Sequence, residues 1–564
     1  MVFSPATERS VKVKGLYAVI YGFLILGAVT MIAPFLIMLT GSIEPKAQAD
    51  SMFVPRYLIE REALWQRYLE TKYHGLDDLF RMAWNDADSV LEEAGALLDG
   101  PIDYAMLDLW RQFLEDAPPP DPLFAVGFLR PNVRMPSTNA FAFRDWLLAR
   151  YGSLEQINTA LLADFARLGR IQPPLLRMDG APAPGTPLVK SFLEFAASLP
   201  QSQRFAWDVG GFYRTDILPR LVGGEISQFN KEFGTKFSSY SEVPFSSTAP
   251  QIAPEHWFFF VSQMLRPDFV QLTDSGEQRF RESRLGKEEF IRTTASAGDL
   301  RVVSADILFA EWAASKGRVE ARIPQASLDR EAFQNESSFW RNQFLTLNYR
   351  YVLDEILVHG RAIANTVILV LLSVCGSLIV NPLAAYALSR YKMRSAFHIL
   401  LFFLATIAFP AEVTMIPVFL QLKDFHLLNT FGALVLPGLA NGFSIFLLKG
   451  FFDSLPRELY EAAEIDGASE WTTFWNITMN LSKPILAVIA LSTFVGAYGT
   501  FFYALILAPD PKMWTVMVYV YQLRQSVDPP VVYASLILIS IPTIFVFVTC
   551  QNIILRGIVV PSDK

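Results

Sequence analysis

Glu461-Ala-Ala-Glu-Ile-Asp466-Gly467-Ala468-Ser-Glu-Trp-Thr-Thr-Phe474-Trp-Asn-Ile477 sets acids, one glycine and large rings side by side between two apolar stretches. The chemistry on offer is recognition rather than bond-making. Glu461, Ala462, Ala463 and Asp466 fall on one short helical run, with Glu458 and Glu464. Ala468 follows the glycine, and Trp471, Phe474, Trp475 and Ile477 recur at helical intervals on a second run. Gly467 between them permits a sharp turn that a side chain obstructs. A bent, ring-bearing knob of this kind suits a groove on a soluble partner.

A second group lies in Phe409-Pro410-Ala-Glu412-Val-Thr414-Met-Ile-Pro417. Two prolines interrupt backbone bonding around one carboxylate. An acid centred in lipid costs ~2.5–3.5 kcal/mol on insertion scales, so Glu412 is expected to face a wet cavity or a partner, unless it sits nearer the interface. Asn441, Tyr498, Thr500 and Tyr503, with Asn365, Asn381 and Ser444, add hydroxyls and amides in apolar surroundings. They could exchange hydrogen bonds with a hydroxylated solute, and helix–helix bonding explains isolated Asn or Ser about as well. No G-x-x-x-x-G-K-[ST] phosphate loop is present, so the chain carries no nucleotide-hydrolysing motif of that type. Cys375 and Cys550 are the only cysteines, and both lie in apolar runs, so neither a disulfide framework nor a Cys/His metal cluster is available.

These residues have to be held by a membrane protein. The chain has 564 residues, 52% of them hydrophobic, with a mean hydropathy of +0.29 and a net charge of -7, which gives no bias toward nucleic acid. Six stretches are long and apolar enough to cross a bilayer, which takes ~20 residues. They are Leu16–Thr40, Ala362–Leu388, Phe397–Gln421, Phe431–Leu448, Pro484–Ala508 and Val531–Leu555. The first has too long an uncharged core for a signal peptide's ~7–15-residue h-region, and reads as a retained anchor. Arg9, Lys12 and Lys14, then Arg390, Lys392 and Arg394, then Lys449 and Arg457, then Arg556 and Lys564 all fall on one side, which the positive-inside rule makes cytoplasmic. The Glu461 loop shares that side, and residues 44–342 face outward.

The 44–342 region is rich in aromatic and charged residues, with breaks at Pro118-Pro-Pro120, Pro173-Pro174 and Pro182–Pro187. By size it can bury its own core. It carries an internal echo. Trp65-Gln-Arg-Tyr68 precedes Tyr73-His-Gly-Leu76, Phe143-Arg-Asp-Trp146 precedes Tyr151-Gly-Ser-Leu154, and Ile226-Ser-Gln-Phe229-Asn230 offers a third copy. Each reads as helix, tight turn, helix. Asp145, Glu155 and Asp164 could pair for glycoside hydrolysis if held ~5–9.5 Å apart, but solvated helical faces account for them more simply. Trp65, Trp84, Trp110 and Trp146 read as core rather than as sugar-stacking platforms.

The Glu461–Ile477 residues, with Pro484, resemble the EAA loop of ABC importer permeases, and within that family the carbohydrate-uptake subgroup related to the maltose permease. The family's proline soon after the isoleucine is replaced here, where Asn480 stands. The lead-in Phe344-Leu-Thr-Leu-Asn348-Tyr349-Arg-Tyr351-Val352-Leu353 and then Asn365-Thr366 looks like the family's approach to its second span. The family often carries Asn-Asp after a Trp in its fifth span, and Tyr498-Gly499-Thr500 occupies that region here. The resemblance implies an all-α polytopic protein with six transmembrane helices. The resemblance covers the first span weakly and about 344–556 well, and does not extend to the insertion, so the expected domains are 1–43 (N-terminus and first helix), 44–342 (a mainly α-helical extracytoplasmic insertion) and 343–564 (permease core, coupling loop 453–484). It implies docking onto separate ABC ATPase subunits that use ATP and Mg, a sister permease subunit, an extracytoplasmic solute-binding protein and membrane lipid as partners, no nucleic acid, and no cofactor in this chain. The solute is expected to be a sugar or similar small molecule, with Glu412, Thr414, Asn441, Tyr498, Thr500 and Tyr503 as path candidates. An ATP-independent secondary transporter or channel, or a membrane-anchored sugar-binding protein, are the alternatives.

Overall fold

The computed structural model describes residues 11–44, 55–129, 137–165, 168–179, 185–318, 321–354, 361–391, 393–407 and 410–557, without the side chains of 11–14, 16, 407, 411–412 and 552–557. Arg9, Lys392, Phe409, Lys564 and the side chains of Lys12, Lys14, Glu412 and Arg556 therefore lie outside the described residues. Two compact units are present. One comprises Met1–Ser42 with Tyr349–Lys564, and the other is Ile43–Asn348.

Among the described residues of the first unit three helices are long and apolar enough to cross a membrane: Tyr17–Gly41, Ala362–Arg390 and Pro529–Gln551. Two bent pairs, Phe431–Gly438 with Gly442–Asp453 and Glu470–Met479 with Lys483–Tyr498, raise the number to five if each pair is one span. The expected third span is not one rod. Its residues form the helices Ala396–Ile407 and Ala411–Asp424, the second opening after Pro410. Proline lacks the amide proton that a helix interior needs, and it is tolerated at a helix start. The expected fifth span is also interrupted, ending at Tyr498 before the short helix Phe502–Leu507.

Ala362–Arg390 is the axis of this unit. It packs on Lys483–Tyr498 and on Gly442–Asp453. Ala385, Ile445, Leu448, Phe452, Phe474 and Ile489 form the shared core. The break before Gly442 is closed by one buried amide. Asn381 Nδ2 donates to Ser377 O at 3.0 Å, Ser377 Oγ at 2.8 Å and Leu439 O at 3.1 Å, while its Oδ1 accepts from Asn441 N at 2.8 Å. A backbone freed by a 48° bend needs such partners where water is absent.

The described residues of the Ile43–Asn348 unit are mainly helical, with four three-residue strands among them: β1 (Phe124–Val126), β2 (Arg204–Ala206), β3 (Val270–Leu272) and β4 (Leu300–Val302). They pair antiparallel as β1–β2 and β3–β4. Each follows directly on a three-residue 3₁₀ turn. The sequence echo has a geometric counterpart. Asn158 brackets Phe165, its Nδ2 donating to Phe165 O at 3.0 Å and its Oδ1 accepting from Phe165 N at 2.9 Å. Asn230 brackets Phe237 in the same way at 2.8 and 2.9 Å. In the first copy the corresponding position is Phe80, which cannot make the bracket.

The centre of this unit is a buried carboxylate. Asp329 accepts from Lys72 Nζ (2.7 Å), Tyr73 Oη (2.5 Å), Trp84 Nε1 (2.8 Å) and Gln325 Nε2 (2.8 Å). An ion pair this deep persists only when its remaining lone pairs are bonded, and here two donors reach each oxygen. Trp65 and Trp110 are buried, which agrees with their reading as core, while Asp145, Glu155 and Asp164 are exposed.

Candidate functional site

The helix Glu458–Ile465 ends on a left-handed glycine. Gly467 has φ +74. Its N–H donates to Glu464 O at 3.1 Å, and Ala468 N donates to Ala463 O at 2.9 Å. These two bonds are the Schellman pair, which satisfies the last carbonyls of a helix through a residue that only glycine adopts without strain. Ser469 then caps the next run, its Oγ accepting from Thr472 N at 3.2 Å. The run Glu470–Met479 meets Lys483–Tyr498 at 83°. The loop is therefore a bent elbow whose first corner is fixed by hydrogen bonds.

Its inner side is anchored. Ala463 and Phe474 are buried, and the Phe474 ring lies 5.2 Å edge-on from Tyr386. Tyr386 Oη donates to Glu470 at 2.9 Å, the Tyr460 and Thr478 hydroxyls are 2.9 Å apart, and the Arg390 guanidinium sits 3.5 Å over the Tyr460 ring. Ile477 and Ala468 are half-buried. The outer side is bare. Ile465 is 86% exposed, Trp471 60% and Trp475 40%. Glu461, Ala462, Glu464 and Asp466 are exposed beside them, and among the described residues no cation pairs with these three acids. Two rings and an isoleucine left in solvent among acids make an exposed apolar patch rimmed by charge.

The path candidates have mostly structural partners. Asn441 caps the helix Gly442–Asp453, its Oδ1 accepting from Ser444 N at 2.9 Å. Tyr498 Oη donates to Ile539 O at 2.5 Å, and Thr500 Oγ1 to Gly496 O at 2.8 Å. Tyr503 packs half-buried on the cluster of Leu422, Ala433 and Leu507. Glu412 and Thr414 lie on the helix Ala411–Asp424. Asn365 Nδ2 donates to Lys512 O and Trp514 O, and Thr366 Oγ1 accepts from Val516 N. A cavity of about 460 Å³ lined by Thr366, Val370, Phe494, Tyr498 and Pro542 is apolar in consequence, because its two hydroxyls are already bonded. Sequence reasoning named Asn381 only among polar candidates and not as the suture of the fourth-span break, and it missed Arg524, which among the described residues has no side-chain partner, since neither sits in a recognisable spacing.

A chain with helices of this length and an elbow of this design is a polytopic membrane protein. Residues 381–560 match the family described as "Binding-protein-dependent transport system inner membrane component". The chain is similar to the diacetylchitobiose uptake system permease protein NgcG of Streptomyces coelicolor, 30% identical over 199 residues that cover 34% of this chain and 66% of that one. It is similar to protein LplC of Bacillus subtilis, 35% identical over 27% of this chain and 56% of LplC. It is also similar to the sn-glycerol-3-phosphate transport system permease protein UgpE of Yersinia enterocolitica, 31% identical over 36% of this chain and 74% of UgpE. The chain belongs to this family of inner-membrane transport components. It spans 66% of NgcG and 56% of LplC, and the family match begins at residue 381, beyond the Ile43–Asn348 unit.

Proposed function

We propose that this chain is a permease subunit of an ATP-driven ABC importer that moves a sugar or similar small solute across the cytoplasmic membrane. One observation carries the reading. The Glu461–Ile477 elbow is fixed on its inner face and leaves Ile465, Trp471 and Trp475 exposed among unpaired acids. The names of the relatives, one for a disaccharide and one for a phosphorylated polyol, support the solute class. On this reading six spans cross the membrane, the termini and the loop 453–484 are cytoplasmic, and the Ile43–Asn348 unit is extracytoplasmic. The elbow seats in a cleft of a separate ATPase subunit. Closure of the ATPase pair pushes on the elbow, and the anchored Phe474–Tyr386 contact passes that motion into Ala362–Arg390. A solute-binding protein and a sister permease complete the assembly. Glu412 and Thr414 line the path, while Asn441, Tyr498 and Thr500 shape it through backbone bonds.

Two measurements test this. Co-expression with the cognate ATP-binding subunit yields a complex that a Trp471→Ala/Trp475→Ala variant loses. A cysteine placed at Ile465, with Cys375 and Cys550 replaced by serine, is labelled from the cytoplasmic side. Labelling from the outer side, or a free-standing transporter indifferent to the ATPase, overturns the proposal.

A further inference from the structure

The membrane-helix unit carries a second cavity, of about 590 Å³, whose chemistry differs from the apolar one. That volume lies within the ~300–1,000 Å³ of small-molecule sites. Phe501, Tyr521, Tyr533 and Arg524 supply its rings and polar groups, with Met517 and Leu536 among the apolar walls. The helix Val516–Leu523 places Tyr521 and delivers Arg524 at its end, and Pro529–Gly557 places Tyr533.

Three features make this a site rather than a gap. The Arg524 guanidinium has five donors, and among the described residues none has an acceptor or carboxylate partner. The hydroxyls of Tyr521 and Tyr533 are likewise without partners among the described residues. The rings are also held in place. Phe501 and Tyr521 lie 5.0 Å apart at 58°, and Tyr533 packs so closely on Gly41 that a Cβ there would fall 2.7 Å from its Cδ2. A fixed set of ring faces and hydroxyls around one unpaired cation has one fitting complement. That complement is a hydroxylated molecule with a negative group, because guanidinium-to-oxyanion bonds are about twice as strong as neutral ones.

We propose that this cavity binds a small polyol carrying an oxyanion, a sugar acid or a sugar phosphate, with Arg524 on the charged oxygens and Tyr521 and Tyr533 on hydroxyls. The inference deepens the permease reading by naming a solute class and rests on that reading, but its test needs no ATPase, so the two fail separately. Full-length protein in phosphatidylcholine nanodiscs is titrated calorimetrically with D-glucuronate, D-glucose 6-phosphate and D-glucose. One or both acids bind saturably, and glucose binds about tenfold or more weakly, the scale of one lost charge-assisted bond. Whichever acid binds identifies the oxyanion. Arg524→Gln removes the preference for acid over glucose, and Tyr521→Phe weakens acid binding while leaving the preference. Both side chains are exposed, so the variants fold. Equal binding of glucose, no saturable binding of either acid, or a preference that survives Arg524→Gln overturns the proposal. So does displacement of the acids by low fractions of phosphatidylglycerol in the disc, which would make the occupant a lipid headgroup.

Discussion

Replacing Gly467 with alanine tests the elbow most directly. At φ +74 a Cβ has no heavy atom within 4 Å, so nothing collides. The cost is the left-handed backbone itself, roughly 1–2 kcal/mol for an L-residue with a Cβ. The alternative, opening the turn, gives up the bonds Gly467 N to Glu464 O and Ala468 N to Ala463 O, at ~0.5–1.5 kcal/mol each. The two routes cost about the same, so the bent form loses its dominance, falling relative to open forms by a factor of about 5–30. On the proposed permease function, alanine at this position is expected to leave the protein folded and membrane-inserted while lowering both ATPase capture and solute imported per ATP hydrolysed. Proteoliposomes of the reconstituted complex give both quantities. Gly467→Asn, which tolerates this backbone region, should recover most of the coupling. If alanine couples as well as glycine, or if asparagine is as poor as alanine, bending at residue 467 is not what transmits the motion.

Other outcomes follow from the same geometry. Asp329→Ala strands the Lys72 ammonium and should cost about 3–5 kcal/mol, the range for breaking a buried ion pair, read as a large fall in the thermal midpoint of the Ile43–Asn348 unit; a fall of only a degree or two would remove Asp329 from the centre of the fold. Trp471→Ala with Trp475→Ala should weaken ATPase binding by ~2 kcal/mol or more, as for interface hot spots, with no change in thermal midpoint. Asp208 is raised to about 7, first by burial and then by neighbouring Asp306. The folded protein therefore keeps a proton that the unfolded chain sheds near ~4, and this contribution to stability, full below that value, is lost as pH climbs through 7. Asp208→Asn, still able to cap Gly211, should raise the midpoint at pH 8 more than at pH 5; equal gains at both would refute the assignment. His74 runs the other way. Burial holds it down to about 4 despite its bond to Val126 O, so its contribution, complete above ~6.5, is lost as pH falls through 4, and His74→Gln should flatten the acid limb of the stability profile.

The elbow was legible because it is local. Acids, glycine and rings within seventeen consecutive residues dictate a helix, a left-handed stop and a second helix through bonds that span at most five positions, whereas apolar length foretold three continuous long helices among the described residues but not the breaks in the other three expected stretches. The echo in the Ile43–Asn348 unit was visible for the same reason, since its Asn brackets reach only seven residues ahead. What the chain order concealed was pairing at a distance. Lys72 and Tyr73 meet Asp329 across more than 250 positions, Asn381 mends a break 60 residues on at Asn441, and the four short strands find partners with no alternation long enough to announce them. The path candidates show the same division. Sequence could name a tyrosine or an asparagine among apolar neighbours, but the folded backbone decided that Tyr498 and Asn441 would bond to it, while the side chains of Tyr521, Tyr533 and Arg524 have no such bond among the described residues. A hydrogen bond within a few residues is set by composition and spacing, whereas one between segments depends on which buried carbonyls a fold leaves unpaired.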